Sequence, residues 1–150
     1  MTSRIDSESL KNWCKVPVDQ LESHPEAKVK IKILSTPDDV YYYTARMMAD
    51  EVKENNAKGL RTRWILPCGP TGQYKYFAKI VNEEKISLKD LYVFHMDDCL
   101  DWQGRPLPLD HQFSYQGQML KIFYAPIDKS LSVPEGQRYF PSIYDLDNIS

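Results

Sequence analysis

Between residues 29 and 35 valine and isoleucine alternate with lysine, a period of two that predicts a strand with one solvated face. Thr36-Pro37-Asp38-Asp39 follows. It supplies an N-cap hydroxyl, a proline at the first helical position and acids in the first turn, where the helix dipole favours them. Tyr41, Ala45, Met48 and Val52 then recur at helical spacing, which predicts a helix with one buried stripe, stopped by Gly59. RTRWILPC, residues 61–68, reads as a second strand whose apolar end predicts burial on both faces. YKYFAKIVNEE, residues 74–84, reads as a helix with Tyr74, Phe77 and Val81 on one side. A turn at Ser87–Asp90 leads into a third buried strand, LYVFHM. A loop rich in proline, aspartate and glycine covers 99–110, and QFSYQGQMLKIFY is expected to be helical. From Pro126 on the chain reads as loop, with residues 133–141 irregular, and the polar first 28 residues read as an extension with a short helix around Ser9–Trp13.

Strand, helix, strand, helix, strand is the pattern of an α/β, Rossmann-like parallel sheet with helices on both faces. The expected division is an extension over residues 1–28 and one α/β domain over 29–150. In such sheets ligands sit outside the carboxyl ends of the strands. Two segments that pack poorly lie at such ends: Cys68-Gly69-Pro70-Thr71-Gly72 and His95-Met96-Asp97-Asp98.

Composition narrows the function classes. The chain has 150 residues, 42% hydrophobic and 27% charged, with a net charge of −2. That is the make-up of a globular protein without the basic field that nucleic acid or an acidic membrane requires. No apolar run approaches the roughly 18 residues of a membrane span, and the polar N-terminus lacks the apolar centre of a signal peptide, so a cytoplasmic setting is expected. Cys14, Cys68 and Cys99 are odd in number and share no CxxC spacing, which points to neither a disulfide framework nor a zinc knuckle.

Each strand end admits two readings. The glycines of 68–72, joined to a helix N-terminus, would let backbone amides approach an anion, with Thr71 adding a hydroxyl; an ordinary strand-to-helix turn has the same composition, and Pro70 removes one donor. Asp97 and Asp98 point to opposite sides in extended chain, so one of them can face a site and move a proton between adjacent carbons while the other orients it; a solvated turn would look alike. A metal held by His95, Asp97 and His111 has no local signature behind it. Cys68 reads as a small buried thiol rather than a nucleophile, because no base can be placed beside it.

Taken in register, these motifs resemble a known family. LPCGPTGQYKYFAKIVNEEKISLKDLYVFHMDD, residues 66–98, is similar to the first half of the glucosamine-6-phosphate deaminase/isomerase family, and PLDHQFSYQGQM to its later segment containing His, Ser and Tyr, here His111, Ser114 and Tyr115. The resemblance covers roughly residues 30 to 140. It implies that Asp97 is the enolisation base of an aldose–ketose isomerisation that releases ammonia, with Asp98 beside it. It further implies that Cys68, Gly69, Pro70, Thr71 and Gly72, with His111, contact a phosphosugar. No metal or organic cofactor, a cytoplasmic location and homo-oligomers go with it. The loop is two residues shorter than the family's, Asp98 stands where Glu is usual, and His95 where Asn is usual. The family's ring-opening Asp-Gly-His is not among the 150 residues, so the sheet is expected to be incomplete at its C-terminal side and the chain to be the N-terminal portion of such an enzyme. A sugar-phosphate-binding regulator without catalysis, or a phosphogluconolactonase-like hydrolase, would share the fold.

Overall fold

In the computed structural model, which describes residues 5–141, the chain falls into two compact units with their boundary between Ser35 and Thr36. The first carries helix α1, Ser7–Trp13, capped by the Asp6 carboxylate, and the single turn α2, Val18–Leu21; neither has a buried residue. Residues 29–35 do not form the strand that their alternation predicts. Val29 is 73% exposed, and no ladder among the described residues runs along this segment: Ile33 donates its N–H to the Glu22 carboxylate at 2.6 Å instead. Alternation makes a strand only where a partner edge is offered.

In the second unit α3, Pro37–Ala57, begins as the sequence dictates. Thr36 Oγ1 accepts the Asp39 N–H at 3.1 Å, and Asp39 Oδ2 accepts the Thr36 N–H at 3.0 Å, a reciprocal cap that satisfies two otherwise orphaned donors. At the other end Gly59, with φ of 66°, lets Leu60 N–H reach Asn55 C=O at 2.8 Å. Strand β1, Thr62–Leu66, helix α4, Gly72–Glu84, and strand β2, Leu91–His95, follow. The segment expected to be one helix over 112–124 is a short α-helix, α5, Tyr115–Met119, continued by a π-helical turn, Leu120–Tyr124, in which Ala125 N–H bonds to Leu120 C=O. The widened turn sends both Phe123 and Tyr124 into the core.

The tail also departs from expectation. After a 3-10 turn, Glu135–Gln137, the residues Arg138–Tyr139 form β3, paired parallel to β2 through Val93 and Phe94. The Gln137 amide fastens this strand to the edge by donating to the carbonyls of Lys89 and Leu91 at 2.9 and 2.8 Å. A two-residue strand has no periodicity to read; its signal is the free edge it meets.

The sheet is parallel, in the order β1-β2-β3, as the α/β class requires. One face carries Leu66, Leu91, Val93 and the half-buried Trp64. It is covered by α3, α4 and the π-helical turn: Trp64 Nε1 donates to Glu51 of α3, and its ring meets Phe77 of α4, which stacks on Phe123 of the π turn at 5.6 Å. Each large side chain buried here contributes about 1.5–3 kcal/mol. The other face is not covered by a helix among the described residues. Ile65 is 69% exposed, Phe94 40% and Tyr139 43%, with the last two rings stacked at 4.6 Å. The sequence signals burial on both faces there, and this structure supplies it on one. No helix among the described residues is long and apolar enough to cross a membrane.

Candidate functional site at the strand ends

Parallel pairing decides where the two chemically loaded segments lie. Leu66 is opposite Leu91's strand-mate His95, and Met96 N–H donates to Leu66 C=O at 3.0 Å, one step beyond the ladder. Both strands therefore stop side by side, and residues 67–71 and 96–99 leave from the same edge of the sheet.

On the β1 side the turn is built from within. Gly69–Pro70 is a cis peptide. Tyr74 OH donates to Pro67 C=O at 2.6 Å, and Gln73 Nε2 to Pro70 C=O at 2.7 Å, so the carbonyls point back at α4. Burial pushes the Tyr74 phenol up to about 12, which keeps it a donor. Among the described residues no acceptor takes the N–H of Gly69 or Thr71, and the Thr71 hydroxyl, at the N-cap of α4, makes no capping bond. Gly69, Pro70 and Thr71 are exposed. Gly72 is needed for close approach, since a Cβ there would lie 2.3 Å from the Tyr41 ring. The turn therefore presents unspent donors at a helix N-terminus, the arrangement that suits an anion.

Cys68 is buried beneath this turn, its Sγ 3.7 Å from Gln118 Oε1 and 4.0 Å from Tyr115 C=O. Burial pushes its thiol up, and the nearby charges of Asp97 and Asp98 push it further, so it is a poor nucleophile.

On the β2 side the two aspartates differ sharply. Asp97 is exposed, and among the described residues no hydrogen bond or ion pair engages it. Asp98 is half-buried: Oδ1 accepts the N–H of Cys99 and of Tyr115, both at 2.8 Å, and Oδ2 accepts the Gln116 N–H at 3.2 Å. A cavity of about 360 Å³ lies beside it, lined by Leu100, Pro106, Gln116, Arg138 and Phe140. Larger grooves, of about 810 Å³ between Trp13 and Ile31 and about 590 Å³ around Tyr124 and Val133, do not reach either strand end.

The histidines lie apart. His95 turns into the core, its Nε2 2.9 Å from Tyr124 OH and its ring stacked on Phe140 at 4.1 Å, while its buried Nδ1 has no partner among the described residues. His111 is exposed in the loop before α5, where its Nδ1 accepts the Phe113 N–H, and among the described residues no hydrogen bond, ion pair or ring contact ties it to Asp97 or to residues 68–72. Among the described residues no cluster of three or more His, Cys, Asp or Glu side chains is placed to hold a metal ion. Two participants carry little local signal. The neighbouring Cys99 thiol pushes the pKa of the Tyr115 phenol up, and Ser114 Oγ caps α5 by accepting the Gly117 N–H at 3.1 Å. Only the His111–Ser114–Tyr115 spacing points to them.

A parallel sheet with a glycine turn and an acidic strand end on one edge defines an α/β protein of the open-sheet class, and in that class ligands bind outside the carboxyl ends of the strands. The fold is that of a solved monomeric glucosamine-6-phosphate deaminase, described as a missing link of the NagB superfamily. The two superpose with a TM-score of 0.62 at 22% identity, over 76% of this chain and 43% of that one. The chain is related in sequence to glucosamine-6-phosphate deaminases. It is 31% identical over 102 residues to that of Caenorhabditis elegans, 29% over 103 to that of Borrelia garinii subsp. bavariensis, and 33% over 105 to that of Aedes aegypti. Each match takes in 67% of this chain but 35–37% of the relative, so the chain spans about a third of the length of these relatives. No family model matches it.

Proposed function

We propose that this chain carries the base and the phosphate-facing turn of an amino-sugar-phosphate isomerase/deaminase acting on glucosamine 6-phosphate. The observation that carries the reading is the adjacency of the two strand ends, fixed by the Leu66–His95 register and the Met96–Leu66 hydrogen bond. A six-carbon sugar phosphate reaching from the amides of Gly69 and Thr71 can bring its C1 and C2 to Asp97, the acid left without an internal partner. Asp97 takes the proton from C2 of the open-chain amino sugar to give the enolamine and returns it to C1. Water then hydrolyses the resulting ketose imine, giving fructose 6-phosphate and ammonia. The step needs a positioned carboxylate and no organic cofactor. Cys68 and Gly72 shape the turn rather than contact the sugar, Pro70 sets its path, and His111 reaches substrate only if its loop closes inward. A cytoplasmic setting and association of copies, for which the uncovered Ile65, Phe94 and Tyr139 offer apolar surface, accompany this reading.

Ammonia release from glucosamine 6-phosphate tests it. Asp97→Asn should lower turnover at least about 100-fold with little change in sugar-phosphate binding. Turnover by that variant at the wild-type rate would refute the assignment, and tight binding with no ammonia from the wild type would favour a sugar-phosphate-binding regulator instead.

A further inference from the structure

The two neighbouring acids at the end of β2 have separate tasks, and we infer that Asp98 is a positioning residue that fastens α5 and the preceding loop onto the strand end, leaving Asp97 alone to meet substrate. The inference rests on the isomerase/deaminase reading of this site, but its structural half stands on geometry. Asp98 takes the first two helical amides of α5, Tyr115 and Gln116, and Ser114 Oγ takes the amide of Gly117, so two side chains satisfy the first three donors of that helix. The loop thus closed carries its own ties. Asp101 accepts from the N–H groups of Gln103 and Arg105 and from Arg105 Nε, Leu100 bridges Pro106, and Leu109 C=O lies against Gly117, where a Cβ would come within 1.8 Å. Asp98 Oδ1 also accepts the Cys99 N–H at 2.8 Å, next to it in the chain. One carboxylate therefore sets the path of the main chain on both sides of the site: the turn that carries Asp97 and the helix start that carries Tyr115. With every described bond of Asp98 directed at backbone amides, it is spent on architecture. An active-site group held in this way keeps its geometry only as long as the fastening holds.

The test compares Asp98→Asn, Asp98→Glu and Asp97→Asn in the full chain. Amide hydrogen exchange is followed by NMR, and ammonia release from glucosamine 6-phosphate is assayed at a temperature where all variants are equally folded by circular dichroism. Asp98→Asn places an amide NH2 against a donor. It should lower protection of the Tyr115 and Gln116 amides about tenfold and reduce kcat/KM about tenfold, without moving the pH profile. Asp98→Glu should recover part of both. Asp97→Asn should leave protection at 115 and 116 unchanged. Unaltered protection in Asp98→Asn, unaltered kcat/KM at equal folded fraction, or a displaced pH profile would each overturn the inference. If the wild type releases no ammonia, the proposed activity fails, and protection at Tyr115 and Gln116 still decides whether Asp98 fastens the loop.

Discussion

His95 is an ionisable ring in a site that cannot hold its charge, and acid should expose this. Only 7% of its surface reaches solvent, it stacks on Phe140, and among the described residues Nδ1 has no hydrogen-bond partner. Burial lowers its pKa from 6.5 to about 4, with the Asp98 charge only partly opposing. The unfolded chain therefore takes up the proton first as pH falls. The contribution of the neutral ring to stability is complete above pH 6.5, declines as pH drops toward 4, and does not change further below that. At about 1.4 kcal/mol per pH unit, the whole interval is worth roughly 3 kcal/mol, and the part between pH 7 and pH 4.5 about 2.5 kcal/mol. The perturbation is His95→Asn, the side chain usual at that place in the resembled family, which removes the titration but keeps a polar group. Urea unfolding of both proteins at the two pH values isolates the term, because the carboxylates, His24 and His111 are common to both. Wild type should lose about 2.5 kcal/mol more than the variant on acidification. Equal losses, or a larger loss in the variant, would show that the ring is solvated or paired and refute the reasoning.

Further outcomes follow from local geometry. Gly117→Ala drives a methyl into the backbone carbonyl of Leu109, which cannot rotate away, and should cost about 2–3 kcal/mol in urea unfolding; a cost below about 0.5 kcal/mol would mean that the loop yields freely. Lys85 ends α4 with φ of 54°, a conformation that glycine adopts without strain. Lys85→Gly should raise stability by about 0.5–1 kcal/mol despite losing the exposed contact to Asp128, as a thermal melt would show; a lower melting temperature would mean that this contact or the unfolded chain dominates.

How much of this was legible depended on whether the signal was local. Helix α3 declares itself through Thr36-Pro37-Asp38-Asp39, and its Ala45 and Val52 are buried as their spacing requires. Tyr74, Phe77 and Val81 mark the inner face of α4 equally well. The strand ends at Leu66 and His95 were readable because apolar runs stop there, and parallel connection puts such ends on one edge. What failed was everything decided by a partner distant in sequence. Residues 29–35 have strand alternation but pair with no strand among the described residues, whereas Arg138–Tyr139 has no alternation and pairs with β2. Ile65 and Phe94 have the apolarity of covered residues, but no helix among the described residues covers them. Asp97 and Asp98 are indistinguishable as letters. The return of α5 to the strand end, 17 residues on from Asp98, makes one a fastening and leaves the other open.

The most direct test of a shared strand-end site is a titration of the isotopically labelled protein with glucosamine 6-phosphate, followed by amide chemical shifts. Saturable shifts should appear together at Gly69, Thr71, Gly72 and Asp97, and persist in Asp97→Asn. Absence of saturable shifts at these amides, or shifts centred on the groove between Trp13 and Ile31, would contradict the account.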